Sequence, residues 1–352
     1  MTPAGAGTGN SPVLRLTDAG FYCEVGGFHV DPWRPVAHAI VTHAHGDHVA
    51  WGCGAYLTSR EGAGVLAARL PPEAVVESLP YAERRRLGDV AVSLHPAGHI
   101  LGSAQVRLEH RGEVWVVSGD YKTDPDPTCT AFEPVRCHTF VTESTFGLPI
   151  YSWPPQGEVF AEINGWWRAN RDDGRVSLLM GYALGKAQRL IAGLDPGIGP
   201  ILTHGAVERM TAAYRAGGIS LPPTTYAGTE GGRRDRGGAL VVAPPSAAGS
   251  PWARRFGDAA TGFASGWMRV RGARRRRGVD RGFTLSDHVD WPSLLGAIAA
   301  TGAERVWVTH GFTAPLVRWL RERGMEAQAV ATRFEGETED VGADVALEPP
   351  PQ

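Results

Sequence analysis

The stretch VTHAHGDHVAW, Val41–Trp51, places three histidines and an aspartate within six positions. Histidine is scarce elsewhere, with 12 in 352 residues, so this turn is a candidate site rather than ordinary surface. In extended backbone, residues two apart point to the same side, so His43 and His45 could grip one ion. Asp47 and His48 are adjacent and diverge, which suits a second ion beside the first. Imidazole and carboxylate ligands favour zinc, manganese or iron.

Three more ligand-type side chains occur where a folded scaffold can aim them. His99 lies in the glycine-flanked turn HPAGHILGSAQ, between two predicted strands. Asp120 follows the apolar strand VWVV and a Ser-Gly turn, and His310 ends the apolar strand VWVT. Because loops at strand ends commonly carry functional side chains on a rigid support, these positions favour a metal-binding interpretation. The alternative is a chance cluster of solvated or structural histidines.

The composition indicates a globular protein that is large enough for one large or two medium domains. Hydrophobic residues make up 43% of the chain and charged residues 20%, which excludes a wholly disordered chain. No apolar run reaches the roughly 18 residues of a membrane helix. The first residues also lack the basic start and apolar centre of a signal peptide. We therefore expect a cytoplasmic protein that is not associated with a membrane and has reduced cysteines.

Charge is local rather than global. The net charge is −2, so the whole chain offers no basic field to nucleic acid, yet residues 269–281 carry seven arginines. This run is either a solvated surface or an edge that contacts phosphates, with Arg274 and Arg275 as the candidate contacts. Lys186 and Arg189 are two further candidates. They begin a predicted helix after a glycine turn, where phosphate would be favoured, although a solvated helix face is an equal alternative.

The periodicity changes along the chain. The first part alternates in the manner of short strands and includes a hairpin that turns at Arg111 and Gly112. From about Ile150 onward, strands alternate with helices, which predicts a parallel α/β unit.

The order HxHxDH, a later His and a later Asp resembles the signature of the metallo-β-lactamase fold. By this resemblance, one metal is bound by His43, His45 and His99. A second metal is bound by Asp47, His48 and His310. Asp120 bridges the two ions.

Three further motifs resemble those of the β-CASP nucleases: VTESTFG with Glu143, FTLSDHVDW with His288, and VTHG with His310. The likeness is closest to the bacterial ligase-associated DNA exonucleases, from about Leu14 to Phe334. It implies a metallo-β-lactamase αββα sandwich formed by residues 13–150 and 281–334. Residues 151–280 would form an inserted β-CASP α/β domain, between a flexible tail at residues 1–12 and an acidic disordered tail at residues 335–352.

The function that the resemblance implies is a metal-dependent DNA exonuclease, acting in repair beside a DNA ligase. Two divalent ions, zinc or manganese, would activate a hydroxide against the phosphodiester. The implied catalytic side chains are Asp47, Asp120, Glu143 and His288. Of these, His288 serves as acid or phosphate contact, and Glu143 orients it.

Three alternatives stay open. In eukaryotic members of the family, a histidine in the third motif accompanies RNA substrates, so His310 leaves an RNA-processing nuclease possible. A small-molecule hydrolase such as a lactonase would share the metal motifs but would not need the long insertion. A non-catalytic nucleic-acid-binding module would not need a complete set of ligands.

Overall fold

The computed structural model describes residues 12–234, 236–270, 272 and 278–333. Within these residues, the backbone forms three β-sheets with helices between and around them, which confirms the predicted α/β class. Apart from Pro12, the two predicted tails lie outside the described residues, and so do Arg274 and Arg275.

The first sheet contains six short strands that neighbour one another in chain order. They are β1 (Arg15–Thr17), β2 (Gly20–Cys23), β3 (Phe28–Val30), β4 (His38–Ile40), β5 (Ala55–Ser59) and β6 (Val76–Leu79). The first three strands are antiparallel, and β3 to β6 are parallel. The histidine turn of Val41–Trp51 therefore leaves the end of a central strand of this sheet.

The second sheet has seven strands in the order β19-β18-β11-β10-β9-β8-β7. In chain order they are β7 (Arg85–Leu87), β8 (Val90–Pro96), β9 (Ala104–His110), β10 (Glu113–Val117), β11 (Thr139–Ser144), β18 (Arg305–Gly311) and β19 (Glu326–Ala329). The predicted hairpin is confirmed, since β9 and β10 pair across Arg111 and Gly112. Strands β10, β11 and β18 run parallel, so the residues that follow them meet at one edge.

The third sheet is parallel throughout and lies between β11 and β18 in the chain, as the alternating pattern predicted. Its strands are β12 (Ser177–Met180), β13 (Ile201–Thr203), β14 (Thr225–Tyr226), β15 (Leu240–Ala243), β16 (Ala260–Ala264) and β17 (Arg281–Phe283). The central strands read SLLM and LVVA and are buried along their whole length, as a sheet covered on both faces requires. Because β17 completes this sheet, the third sheet extends past the predicted boundary at residue 280.

Helices cover the faces of the sheets. In chain order they are α1 (Ala63–Ala67), α2 (Gln156–Asp172), α3 (Lys186–Gly193), α4 (Gly205–Ala216), α5 (Glu230–Arg234), α6 (Pro251–Arg254), α7 (Trp291–Thr301) and α8 (Thr313–Arg321). None of these described helices combines the length and the apolar character needed to cross a membrane.

Apolar cores join these layers in a fixed order. The first and second sheets share one core, in which Val30 and Ile40 of one sheet pack with Val106 and Val117 of the other. On its opposite face, the second sheet packs against α7 and α8. The first sheet packs against α1 on its outer face, and α4 and Leu184 from the region of the third sheet join the same core. This last contact brings the start of α3 close to the histidine turn.

Candidate metal centre

His43, His45 and His99 form the first ligand group. The Nδ1 atom of His45 lies 3.0 Å from Nε2 of His43 and 3.1 Å from Nε2 of His99. Two nitrogens that lie about 2.0–2.1 Å from one tetrahedral ion are about 3.3 Å apart, so this spacing fits a shared cation. Two sequence-distant loops create the group: the turn after β4 and the loop between β8 and β9.

The outer nitrogen of each ring in this group is occupied by an acceptor. Nε2 of His45 donates to the Leu184 carbonyl at 3.1 Å, and Nδ1 of His99 donates to the Asp287 carbonyl at 2.9 Å. Nδ1 of His43 lies 3.1 Å from the hydroxyl of Thr42. Since a carbonyl can only accept, these contacts fix the tautomer and leave the inner lone pairs of His45 and His99 for a metal.

His48, Asp47 and His310 surround the other side of Asp120 as the second ligand group. Nδ1 of His48 donates to Asp31 at 2.7 Å. Its Nε2 is buried, makes no hydrogen bond within the described residues, and lies 3.6 Å from the Asp47 carboxylate. Donor atoms of His48, Asp120 and His310 all lie within 4.8 Å of one another. A buried, unsatisfied nitrogen that faces carboxylates is what a bound cation would explain.

Asp120 stands between the two groups. One carboxylate oxygen, Oδ2, lies 3.3 Å from Nε2 of His48, 3.5 Å from Nε2 of His43 and 3.8 Å from Nε2 of His99. The side chain follows β10 at the edge where the parallel strands of the second sheet end. A single oxygen near both sets of imidazoles is placed to join two ions.

The electrostatics of the two groups differ. Burial, with the neighbouring imidazoles, holds the pKa values of His43 and His99 well below the usual value. Burial also acts on His48, but the carboxylates of Asp120, Asp47 and Asp31 outweigh it and raise the pKa of His48 well above the usual value. Burial alone would raise the pKa of Asp120, yet His48 and its neighbours hold it well below its usual range. His43 and His99 therefore offer neutral imidazoles, and burial likewise lowers the pKa of His310, whereas His48 holds a positive charge among three carboxylates.

Glu143 and His288 form a buried pair beside these groups. Nδ1 of His288 lies 3.0 and 2.9 Å from the two carboxylate oxygens of Glu143. The backbone amide of Tyr121 donates to the same carboxylate at 2.9 Å, which fixes its position. The ring of His288 is 4.7 Å from the ring of His99. Asp120, Glu143 and His288 also have donor atoms within 4.8 Å of one another, so this pair adjoins the ligands directly.

The structure contradicts the predicted nucleic-acid contacts of Lys186 and Arg189. Both side chains are buried, with 0% and 1% exposure, and both pair with Asp287. Their local pattern resembles a helix start on a surface, but the carboxylates that hold them lie far away in the sequence. Of the other two predicted contacts, Arg274 and Arg275, nothing is described.

Sequence reasoning missed three groups that hold the ligands: the side chain of Asp31 and the carbonyls of Leu184 and Asp287. Asp31 follows β3 at the same sheet edge as the histidine turn, so a search for carboxylates at strand ends could have found it. The two carbonyls leave no trace in residue type, because any residue has one.

Comparisons with known proteins add relatives but no matching family model. The chain is 33% identical over 334 residues to a protein of Opitutus terrae named "Probable DNA ligase", covering 94% of this chain and 32% of that protein. It is 31% identical over 126 residues to "Endoribonuclease ysh-1" of Neurospora crassa, which covers 34% of this chain and 14% of that protein. It is 24% identical over 235 residues to an "RNase J-like protein" of Methanocaldococcus jannaschii, with 56% and 54% covered. The chain thus spans about a third of the first of these relatives.

A solved structure shows the same overall fold. It is described as a protein of unknown function from Enterococcus faecalis, with a TM-score of 0.57 and 12% identity, over 85% of this chain and 80% of that one. At this level of identity the likeness concerns the fold alone. The relatives named endoribonuclease and RNase J-like are similar to shorter parts of this chain.

Proposed function

We propose that this protein is a metal-dependent nuclease that hydrolyses phosphodiester bonds in DNA, as an exonuclease in repair. The observation that carries the proposal is the position of Asp120. Its carboxylate lies between two histidine groups, and the buried Glu143–His288 pair adjoins them. A plain binding module would have no need for buried, tautomer-fixed imidazoles around a shared carboxylate.

Seven residues would hold the cofactor, and their chemistry suits zinc or manganese. His43, His45 and His99 would take one ion, and Asp47, His48 and His310 the other, with Asp120 shared. Ions bound there would polarise a phosphoryl oxygen and provide a nucleophile at neutral pH. The protein contributes fixed ligand directions, since Leu184, Asp287 and Asp31 orient three of the imidazoles from behind.

His288 has a different task in this proposal. Its Nδ1 is held by Glu143, a carboxylate that favours the protonated ring. A protonated His288 would give its proton to the oxygen that leaves phosphorus, or would contact the phosphate directly. An oxygen derived from water would form a bond to phosphorus as the P–O bond to the leaving oxygen breaks. The departing oxygen would take the proton of His288, and the neutral ring would regain a proton from solvent.

The domain assignment also belongs to the proposal. Residues 13–150 and about 284–334 would form the metallo-β-lactamase αββα sandwich. Residues 151 to about 283 would form the inserted β-CASP domain, because β17 belongs to the third sheet. Two sheets that share one core, with helices on both outer faces, support the sandwich. The parallel third sheet supports the insertion, with β17 as its last strand.

The relatives support both nucleic acids. The Opitutus terrae protein named as a DNA ligase matches most of this chain, which supports a DNA substrate and a partnership with a DNA ligase. The relatives named endoribonuclease and RNase J-like support an RNA-processing nuclease, and so does His310 by the resemblance of the third motif. RNA processing is therefore the second candidate.

Digestion of matched strands tests the choice. DNA and RNA of one sequence, labelled at either end, are incubated with the protein and Zn²⁺ or Mn²⁺, and the products are separated by length. Release of short labelled products from one end of DNA, with RNA intact, is the expected result. Preferential cleavage of RNA would replace the proposal by the second candidate. Inactivity on every strand with metal bound would favour a small-molecule hydrolase.

A further inference from the structure

The start of α3 reaches the first ligand group from the region of the third sheet. The Leu184 carbonyl, two residues before the helix, accepts the hydrogen bond of His45 at 3.1 Å. Gly185 follows with a φ of +83°. A Cβ at this position would lie 2.3 Å from Cγ2 of Ile100 and 3.8 Å from Nε2 of His45. The backbone at Gly185 therefore lies so close to the loops that carry His45 and His99 that a side chain there would displace it from them.

Buried ion pairs fix the start of α3 in this position. Nζ of Lys186 lies 3.0 Å from one carboxylate oxygen of Asp287, and Nε of Arg189 lies 3.1 Å from the other. Arg189 also pairs with Asp126 at 3.3 Å, and all four side chains are at most 2% exposed in these pairs. Buried ion pairs contribute little net stability, so their occurrence here calls for a positional explanation.

The same charges support His99. The Asp287 carbonyl accepts the hydrogen bond of the His99 ring at 2.9 Å. Arg189 donates to the backbone carbonyl of His99 at 3.1 Å and to that of Ser286 at 3.3 Å. Arg189 thus ties the loop that carries His99 to the loop that carries Asp287, and both to α3.

We propose that the start of α3, residues 184–189, is part of the first metal site, as a set of positioning residues. Leu184 orients His45, and the Lys186–Asp287–Arg189 cluster orients His99. Cation affinity at the first ligand group then depends on the docking of the α3 region, and by linkage a bound cation stabilises that docking. This inference rests on the metal-binding part of the proposed function and not on its substrate.

A matched pair of glycine substitutions tests it. Gly185→Ala adds a Cβ against Ile100, whereas Gly174→Ala adds one at a similar φ of +73° in open space. Both variants place a Cβ on backbone of positive φ, but we expect Gly185→Ala alone to displace Leu184 from His45, because its Cβ meets Ile100 and its ψ is −75°. Zn²⁺ affinity is measured by competition with a chromophoric chelator, and Co²⁺ absorption reports ligand geometry. We expect Gly185→Ala to bind one equivalent of Zn²⁺ about 10–100-fold more weakly, with an altered Co²⁺ spectrum, and Gly174→Ala to match the wild type.

Equal Zn²⁺ affinities and spectra for the two variants would overturn the inference. A wild-type protein that binds no Zn²⁺ would instead overturn the metal centre of the proposed function, so the two failures are distinguishable.

Hydrogen exchange in the wild-type protein decides the matter if Gly185→Ala does not fold. Removal of Zn²⁺ with a chelator should speed exchange at the amides of α3 by about tenfold, by the same linkage. The amides of β7, the edge strand of the second sheet, serve as the internal control and should not change. An unchanged rate in α3, or an equal increase in both elements, would contradict the inference.

Discussion

The two ligand groups that share Asp120 receive their support from different parts of the molecule. Behind the first group stand neutral acceptors, the carbonyls of Leu184 and Asp287, which come from the start of α3 and the loop after β17. Behind the second group stands a carboxylate, Asp31, which follows β3 in the same sheet as the histidine turn. The first group is thus assembled across the molecule, and the second largely within the first sheet.

This difference explains the opposite pKa shifts of His99 and His48. Carbonyls orient an imidazole without adding charge, so burial dominates and holds the pKa of His99 low. Three carboxylates around His48 add enough negative charge to raise the pKa of that ring despite its burial. An entering cation therefore meets free lone pairs on one side and must displace a proton on the other.

Asp120→Asn removes the residue that the two groups share, and it should have the largest effect. Loss of the shared carboxylate weakens both groups at once, so we expect a loss of nuclease activity larger than the about 10–100-fold typical of an outer hydrogen bond. The measurement is DNA digestion at saturating metal, with circular dichroism to verify the fold. Asp18→Asn changes an exposed carboxylate and is the matched control. Full activity in folded Asp120→Asn would refute the proposal that Asp120 is shared by two metal-ligand groups.

His288→Ala separates the chemistry from metal holding. The ring lies beside the first group, and its Nδ1 is occupied by Glu143 rather than pointed at the ligands. We expect a rate loss of about 10²–10⁴-fold with unchanged metal content, because general acids contribute on that scale. Metal content is measured by atomic absorption on the same sample. A variant that loses metal would show that His288 is itself a ligand.

The histidine turn could be predicted from the sequence because its residues are close together in the chain. The spacing of His43, His45 and His48 indicates metal ligands. Asp120 and His310 are indicated as ligands because they lie at the ends of apolar strands. In the structure the ligand atoms of the four histidines lie close to the carboxylate of Asp120.

The groups that orient these ligands could not be predicted from the sequence, because they meet the ligands only through tertiary contacts. Lys186 and Arg189 occupy a helix start that an exposed surface would also tolerate, and Asp126 and Asp287, the acids that bury them, are distant in sequence. The fold class followed from strand and helix periodicity, whereas the end of the third sheet at β17 required knowledge of the pairing with β16.

Asp31→Asn tests the second group and is the counterpart of Gly185→Ala. Asp31 contacts His48 directly, whereas it reaches the first group only through the hydroxyl of Thr42, which lies beside His43. Asp31 has a φ of +44°, which asparagine also tolerates, so the backbone should persist. Neutralising the acceptor of His48 should weaken one equivalent of Zn²⁺ by about 10–100-fold and affect the other much less. Combined with Gly185→Ala, the variant should weaken both equivalents additively. If Asp31→Asn and Gly185→Ala weaken the same equivalent, the division into two independently supported groups is wrong.

The smallest expected effect is a pH dependence of the metal-free protein. The raised pKa of folded His48 means that its stabilising proton is fully present below about pH 6.5, the unfolded value, and is lost as pH rises through the folded value. The low pKa values of His43 and His99 affect stability only below about pH 6.5, where the unfolded chain takes up protons that the folded chain does not. Between about pH 6.5 and the raised folded value the His48 contribution should therefore dominate, and stability should fall by at most about 1.4 kcal/mol for each pH unit. Thermal melts in the presence of a chelator measure this slope.

Asp31→Asn should flatten the slope, because one of the three carboxylates is gone, and Zn²⁺ should abolish it, because the ion replaces the proton. A slope that is the same in the wild type, in Asp31→Asn and with Zn²⁺ would show that His48 does not carry the charge that distinguishes the second group.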